Sequence, residues 1–173
     1  TFGGGIHSEV ELQSVEFKII NNQVNNGEPT LTFNFVGPKG EKFNHLEYPA
    51  EGAKDVQKAA DWMGSRVKHI LTKFMPTEQV VLSGSNYSEF CNNIIALLGN
   101  NNIGKKVAIK ITYGTKAYPK KRLCFPAFPD FIALEASELH LKPEDLISPF
   151  TIQPTSEEDL GMMPGETATD ELD

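Results

Sequence analysis

The apolar residues of this chain change their repeat twice, and that sets the order of its strands and helices. Up to about position 49 they recur at every second residue, from Ala53 to Phe74 at every third or fourth, and from Lys105 at every second again. A period of two belongs to strands and one near 3.6 to helices, so the reading is three strands, a helical insertion and two further strands.

In VELQSVEFKII the alternation at Val10 and Leu12 resumes out of phase at Val15, Phe17 and Ile19. One extra residue near Gln13 to Ser14 would produce that shift, so a β-bulge is expected there. NNQVNNG reads as a turn, because Asn and Gly tolerate positive φ. TLTFNFV alternates cleanly, GPKGEK connects, and EKFNHLEYP continues as a third strand. Val56, Ala60, Met63, Val67, Ile70 or Leu71, and Phe74 then form one helical stripe that Pro76 ends. A shorter helix is expected from about Ser88, as N-cap, to Leu98, stopping at GNNNIG. KKVAIKITYG alternates again, with Val107, Ile109, Ile111 and Tyr113 on one face and Lys106, Ala108, Lys110 and Thr112 on the other. GTKAYP turns the chain into KKRLCF as the fifth strand. Pro126 and Pro129 restrict PAFPDFIALEAS to an edge and a short extended piece, and KPEDLI suits one helical turn.

The expected class is mainly β with a helical insertion at about 52–99. Five strands interrupted by a helix after the third is the order of an oligonucleotide/oligosaccharide-binding (OB) barrel, and a generic α+β helix-on-sheet fold is the alternative. Residues 1–154 form that domain in this reading. Residues 155–173 have no periodicity and read as a disordered acidic tail.

A net charge of -7 would normally argue against a nucleic-acid surface. The charge is unevenly spread, however. Seven of the 23 acidic residues follow position 156, leaving sixteen against sixteen Lys and Arg in the rest of the chain. Seven of those sixteen cations fall between Lys105 and Arg122, and Tyr113, Tyr118, Phe125, Phe128 and Phe131 lie among or just beyond them.

Clustered lysines attract phosphate without choosing bases, and aromatic rings offer faces on which unpaired bases stack. A single strand presents both phosphates and base faces, whereas a duplex hides the latter. Lys106, Lys110, Tyr113, Lys116, Tyr118, Lys120, Lys121 and Arg122 are therefore the candidate nucleic-acid contacts. The competing reading is that the lysines protect an edge strand while the rings fill the core.

Catalytic signals are thin: the chain carries no phosphate-binding glycine loop, HExxH, nucleophile elbow or CxxC. His7, His45, His69 and His140 are far apart and read as having no carboxylate or thiol at ligand spacing, with His69 on a solvated helix face. Cys91 and Cys124 read as buried free thiols. No enzyme activity, metal or cofactor is expected. No apolar run approaches the roughly 20 residues of a membrane span, and the first residues lack a secretory pattern, so a cytoplasmic protein is expected, in the host cytoplasm if viral.

Strand order, the lysine and aromatic run from Lys105 to Phe131 and the acidic end from Glu157 to Asp173 together resemble the single-stranded DNA-binding proteins of bacteriophages. The resemblance implies sequence-independent binding of single-stranded DNA in replication, recombination or repair. It also implies a tail that recruits replication or recombination proteins. One departure is the ending TDELD, whose apolar residue is Leu172 alone, where many such tails end in an aromatic or hydrophobic residue. A structural or protein-interaction module, such as a virion component, is the alternative function, and a small enzyme of DNA metabolism the third.

Overall fold

The computed structural model describes residues 2–21, 23–99, 104–112 and 131–146. Within them the protein is a mixed α/β fold, with one five-stranded antiparallel sheet and two α-helices. The strands are β1 (Gly5–Lys18), β2 (Thr30–Val36), β3 (Lys42–Glu47), β4 (Lys106–Ile111) and β5 (Ile132–Ala133). Their spatial order is β3-β2-β1-β4-β5, and the sheet is not closed into a barrel by a β3–β5 ladder. Helices α1 (Val56–Leu71) and α2 (Tyr87–Leu98) lie in sequence between β3 and β4, where the change of period puts them.

β1 is longer than expected, starting at Gly5 rather than near Val10. Its register against β2 shifts between Leu12 and Ser14, the position of the expected bulge. A second shift, against β4 between His7 and Val10, was not legible in the alternation. Glu9 there has φ 58, a left-handed conformation uncommon outside Gly, Asn and Asp. The β1–β2 connection behaves as its composition suggests, with Asn21, Asn25, Asn26 and Gly27 all at positive φ.

Residues directly opposite one another in a ladder share a face. Leu31, Phe33 and Phe35 of β2 are fully buried, and they stand opposite Glu47, His45 and Phe43 of β3. The core-facing side of β3 is therefore largely polar. Helix α1 covers this core with Met63, Val67, Ile70 and Leu71, continued by Phe74, and α2 adds Cys91, Ile94 and Leu98.

Helix α1 is shorter than the expected span, because Asp55 caps it by accepting from the Lys58 N–H. Val56, assigned to the stripe, is 46% exposed in the first turn. The cap of α2 is Asn86 rather than Ser88, its side-chain oxygen accepting from the Glu89 N–H at 2.8 Å. Gly84, just before it, has φ +157, and a Cβ there would lie 2.6 Å from the backbone nitrogen of Phe90.

The expectation for β4 needs a correction. Val107, Ile109 and Ile111 enter the main core, but the opposite face is covered as well. Ala108 packs with Ala133 and Leu139 in a second small cluster, flanked by Ile6 and Ala136. The strand that pairs with β4 on the side away from β1 is Ile132–Ala133, in the piece read as a short extended edge. KKRLCF lies outside the described residues, as do Cys124 and the segment 155–173. The helical turn expected at KPEDLI is present at Pro143–Leu146.

Two substitutions test this packing. Phe33→Ala should lower the unfolding free energy by about 3–5 kcal/mol in urea titration, as large-to-small changes of buried aromatics do. Gly84→Ala should also destabilise, because backbone rather than a movable side chain occupies the space its methyl needs.

Candidate functional site

Two of the eight expected contacts, Lys106 and Lys110, fall on described residues; Tyr113, Lys116, Tyr118, Lys120, Lys121 and Arg122 lie outside them. Lys106 is exposed, and its ammonium stands 2.9 Å from Glu9. An ion pair this open to water contributes little and can exchange its partner. Lys110 differs: it is 5% exposed, and its Nζ donates to the His140 carbonyl at 2.7 Å. The two lysines do share the sheet face that alternation assigns them, but the chain from Leu134 to His140 covers the second. Period-two patterning cannot reveal such a cover, because it records which face a residue is on and not what lies over that face.

What the fold defines for the basic segment is its two roots. Thr112 and Phe131, on either side of 113–130, are both buried, and the Lys110 N–H donates to the Phe131 carbonyl at 2.9 Å. Residues 113–130 thus connect two neighbouring antiparallel strands, β4 and β5. The Phe131 ring lies 5.6 Å from His45 on β3 and 6.1 Å from His69 on α1, between centroids. Strands β3 and β5 are the outermost of the sheet, so the sheet curls far enough for ring contacts to span its open side. His69, read as part of a solvated face, is instead half-buried against Phe131, a correction that helical phase alone could not supply.

Beside this junction lies an ionic network that the linear reading missed. Glu47 is 1% exposed. Its carboxylate accepts from Arg66 Nη2 at 2.7 Å and Nε at 3.0 Å, and hydrogen-bonds His45 Nε2 at 2.7 Å. Its backbone carbonyl accepts from the Tyr87 hydroxyl, which in turn accepts from the Leu31 N–H at 3.0 Å. His45 therefore does have a carboxylate neighbour, two residues along the same strand. The available signal was that residues i and i+2 of a strand share a face.

Burial pushes the Glu47 carboxyl up, but the hydrogen bonds from His45 and Arg66 outweigh it and hold the group below its ordinary value of 4.5. The same bond holds the Arg66 guanidinium above its ordinary value. Burial raises the Tyr87 phenol, and it pushes the Cys91 thiol up to about 12. A thiol held protonated at neutral pH is a packing group rather than a nucleophile. Among the described residues no three His, Cys, Asp or Glu side chains are grouped to hold a metal ion, and no helix is long and apolar enough to cross a membrane. The arrangement orients β3, α1 and α2 against one another.

Comparison with protein-family models, with curated proteins and with solved structures finds no match to this chain.

Because the Glu47 carboxyl is depressed in the fold, its stabilisation is fully present above 4.5, its value when unfolded, and is lost as pH falls through the lower folded value. Urea midpoints measured from pH 7 to pH 3 should therefore fall more steeply for the parent chain than for Glu47→Gln, which starts lower. Arg66→Ala should cost about 3 kcal/mol at pH 7, since it leaves the buried carboxylate without its main partner.

Proposed function

We propose that this chain binds single-stranded DNA without sequence preference, in replication, recombination or repair, using an OB-like fold. The observation that carries the reading is where the basic and aromatic segment sits in the strand order. In the OB fold the loops between strands 1 and 2 and between strands 4 and 5 are binding loops. Here residues 113–130, with Lys116, Lys120, Lys121, Arg122, Tyr113 and Tyr118, are the β4–β5 connection.

The strand order supports the OB assignment. Central β1 pairs with both β2 and β4, the helices follow β3, and β4 pairs with β5. Among the described residues a β3–β5 ladder is what closure lacks, and there Phe131 meets His45. The two register shifts in β1 supply the bending a small barrel needs at its rims.

Within this reading the lysines and arginine of the connection neutralise phosphates, and Tyr113 and Tyr118 stack on bases. Lys106 contributes from the exposed root of β4, exchanging Glu9 for phosphate. Lys110 holds the root of the connection against His140, and its contribution to the strand is indirect. The acidic segment 155–173 competes with DNA for the basic connection and, once displaced, recruits replication or recombination proteins.

A fluorescent poly-dT oligonucleotide should bind far more tightly than the matching duplex. Affinity should fall with salt, and Lys116→Ala or Lys120→Ala should each reduce the log–log salt slope by about 0.7. Equal affinity for both forms would remove the stacking part of the proposal. Truncation after Pro154 should raise affinity at low salt and bring less advantage at high salt, where screening shortens electrostatic reach. Unchanged affinity at both salts would mean that the tail does not compete.

A further inference from the structure

Helix α1 carries a feature that packing does not account for. Trp62 is 58% exposed, the only tryptophan in the chain, and the Lys58 ammonium lies 4.9 Å from the centroid of its ring. Leaving so large an apolar side chain in water is costly, and aromatic rings beside cations are a recurrent platform for unstacked bases.

The position of Trp62 on the helix is equally informative. Lys58, Trp62, Arg66, His69 and Lys73 follow one another at spacings of four, four, three and four, which places them along one stripe. The acidic residue of α1, Asp61, lies off this stripe and accepts from Gln57, while Asp55 is occupied as the N-cap. One flank of the helix is thus basic and aromatic. Arg66 faces Glu47 and His69 faces Phe131, so this flank runs alongside β3 toward the junction where the 113–130 connection rejoins the fold. Trp62 and His69 are seven residues apart, about 10 Å along the helix axis.

We propose that Trp62 and Lys58 form a second contact for single-stranded nucleic acid, a base stacking on the indole while a phosphate meets the ammonium. The strand runs from the Phe131–His69 junction along this flank of α1. The inference rests on the single-strand reading above and extends its site onto the helical insertion. Phosphate supplies the charge that Lys58 and Lys73 match, and bases supply the flat faces that the exposed indole matches.

Because Trp62 is the sole tryptophan, intrinsic emission reads this one position. The full chain is titrated with unlabelled poly-dT while tryptophan emission and its quenching by acrylamide are followed. Anisotropy of a labelled poly-dT is measured in parallel. The expected result is that emission changes in step with binding and that bound DNA shields Trp62 from acrylamide, whereas inorganic polyphosphate does neither. Trp62→Ala should weaken binding about tenfold and Trp62→Phe much less, since a smaller ring still stacks. Lys58→Ala should lower the salt slope by about 0.7. Circular dichroism should be unchanged in all three, the side chains being exposed.

Anisotropy that reports binding while Trp62 emission, acrylamide access and the affinity of Trp62→Ala all stay unchanged would overturn this inference and leave the single-strand reading standing. No anisotropy change with any oligonucleotide would overturn both.

Discussion

Everything in this sheet hangs on β1, which must hydrogen-bond to β2 along one edge and to β4 along the other while changing direction. A regular strand of fourteen residues cannot do both and still wrap a small core. The two register shifts resolve the conflict by adding local twist at different points on the two edges, one between Leu12 and Ser14 and one between His7 and Val10. With β1 bent, the polar inner face of β3 and the root of β5 come to the same side of the core.

That convergence explains why the inner face of β3 can be polar. A buried carboxylate unpaired would be prohibitive, but Glu47 meets the Arg66 guanidinium in a two-pronged arrangement and His45 beside it. Tyr87 bridges the same residue's backbone to β2. The helical insertion is thereby bound to the sheet by directional contacts as well as by apolar area. An apolar pair in the same place would hold the layers together without fixing how α1 is rotated. The rotation decides that His69 is turned toward Phe131 while Asp61 is not.

Much of the fold was legible because local pattern and tertiary environment agree. Leu31, Phe33 and Phe35 alternate and are all buried; Met63, Val67, Ile70 and Phe74 keep helical phase and are all buried. The bulge near Gln13 showed as a phase slip. Other features were hidden because they depend on what a face meets. Lys110 alternates like an exposed residue yet lies beneath the Leu134 to His140 chain. His69 sits among cations in sequence yet turns toward Phe131. His45 and Glu47 share a face of the expected third strand, but alternation does not say that their side chains meet. Of the candidate contacts, six lie outside the described residues, and the exposure of Trp62 is not legible in the sequence because a lone aromatic in a helix normally reads as core.

The meeting of Phe131 with His45 and His69 has a mechanical meaning. Where strands are laddered, separating them breaks several backbone hydrogen bonds together, and the opening is correspondingly rare. Among the described residues β3 and β5 share no ladder, and the Phe131 ring against His45 is a contact without the cooperativity of a paired edge. The side of the sheet between β3 and β5 is therefore held differently from its laddered strand pairs, close to the root at Phe131. β1, with a ladder on each edge, is by the same reasoning held in register from both sides.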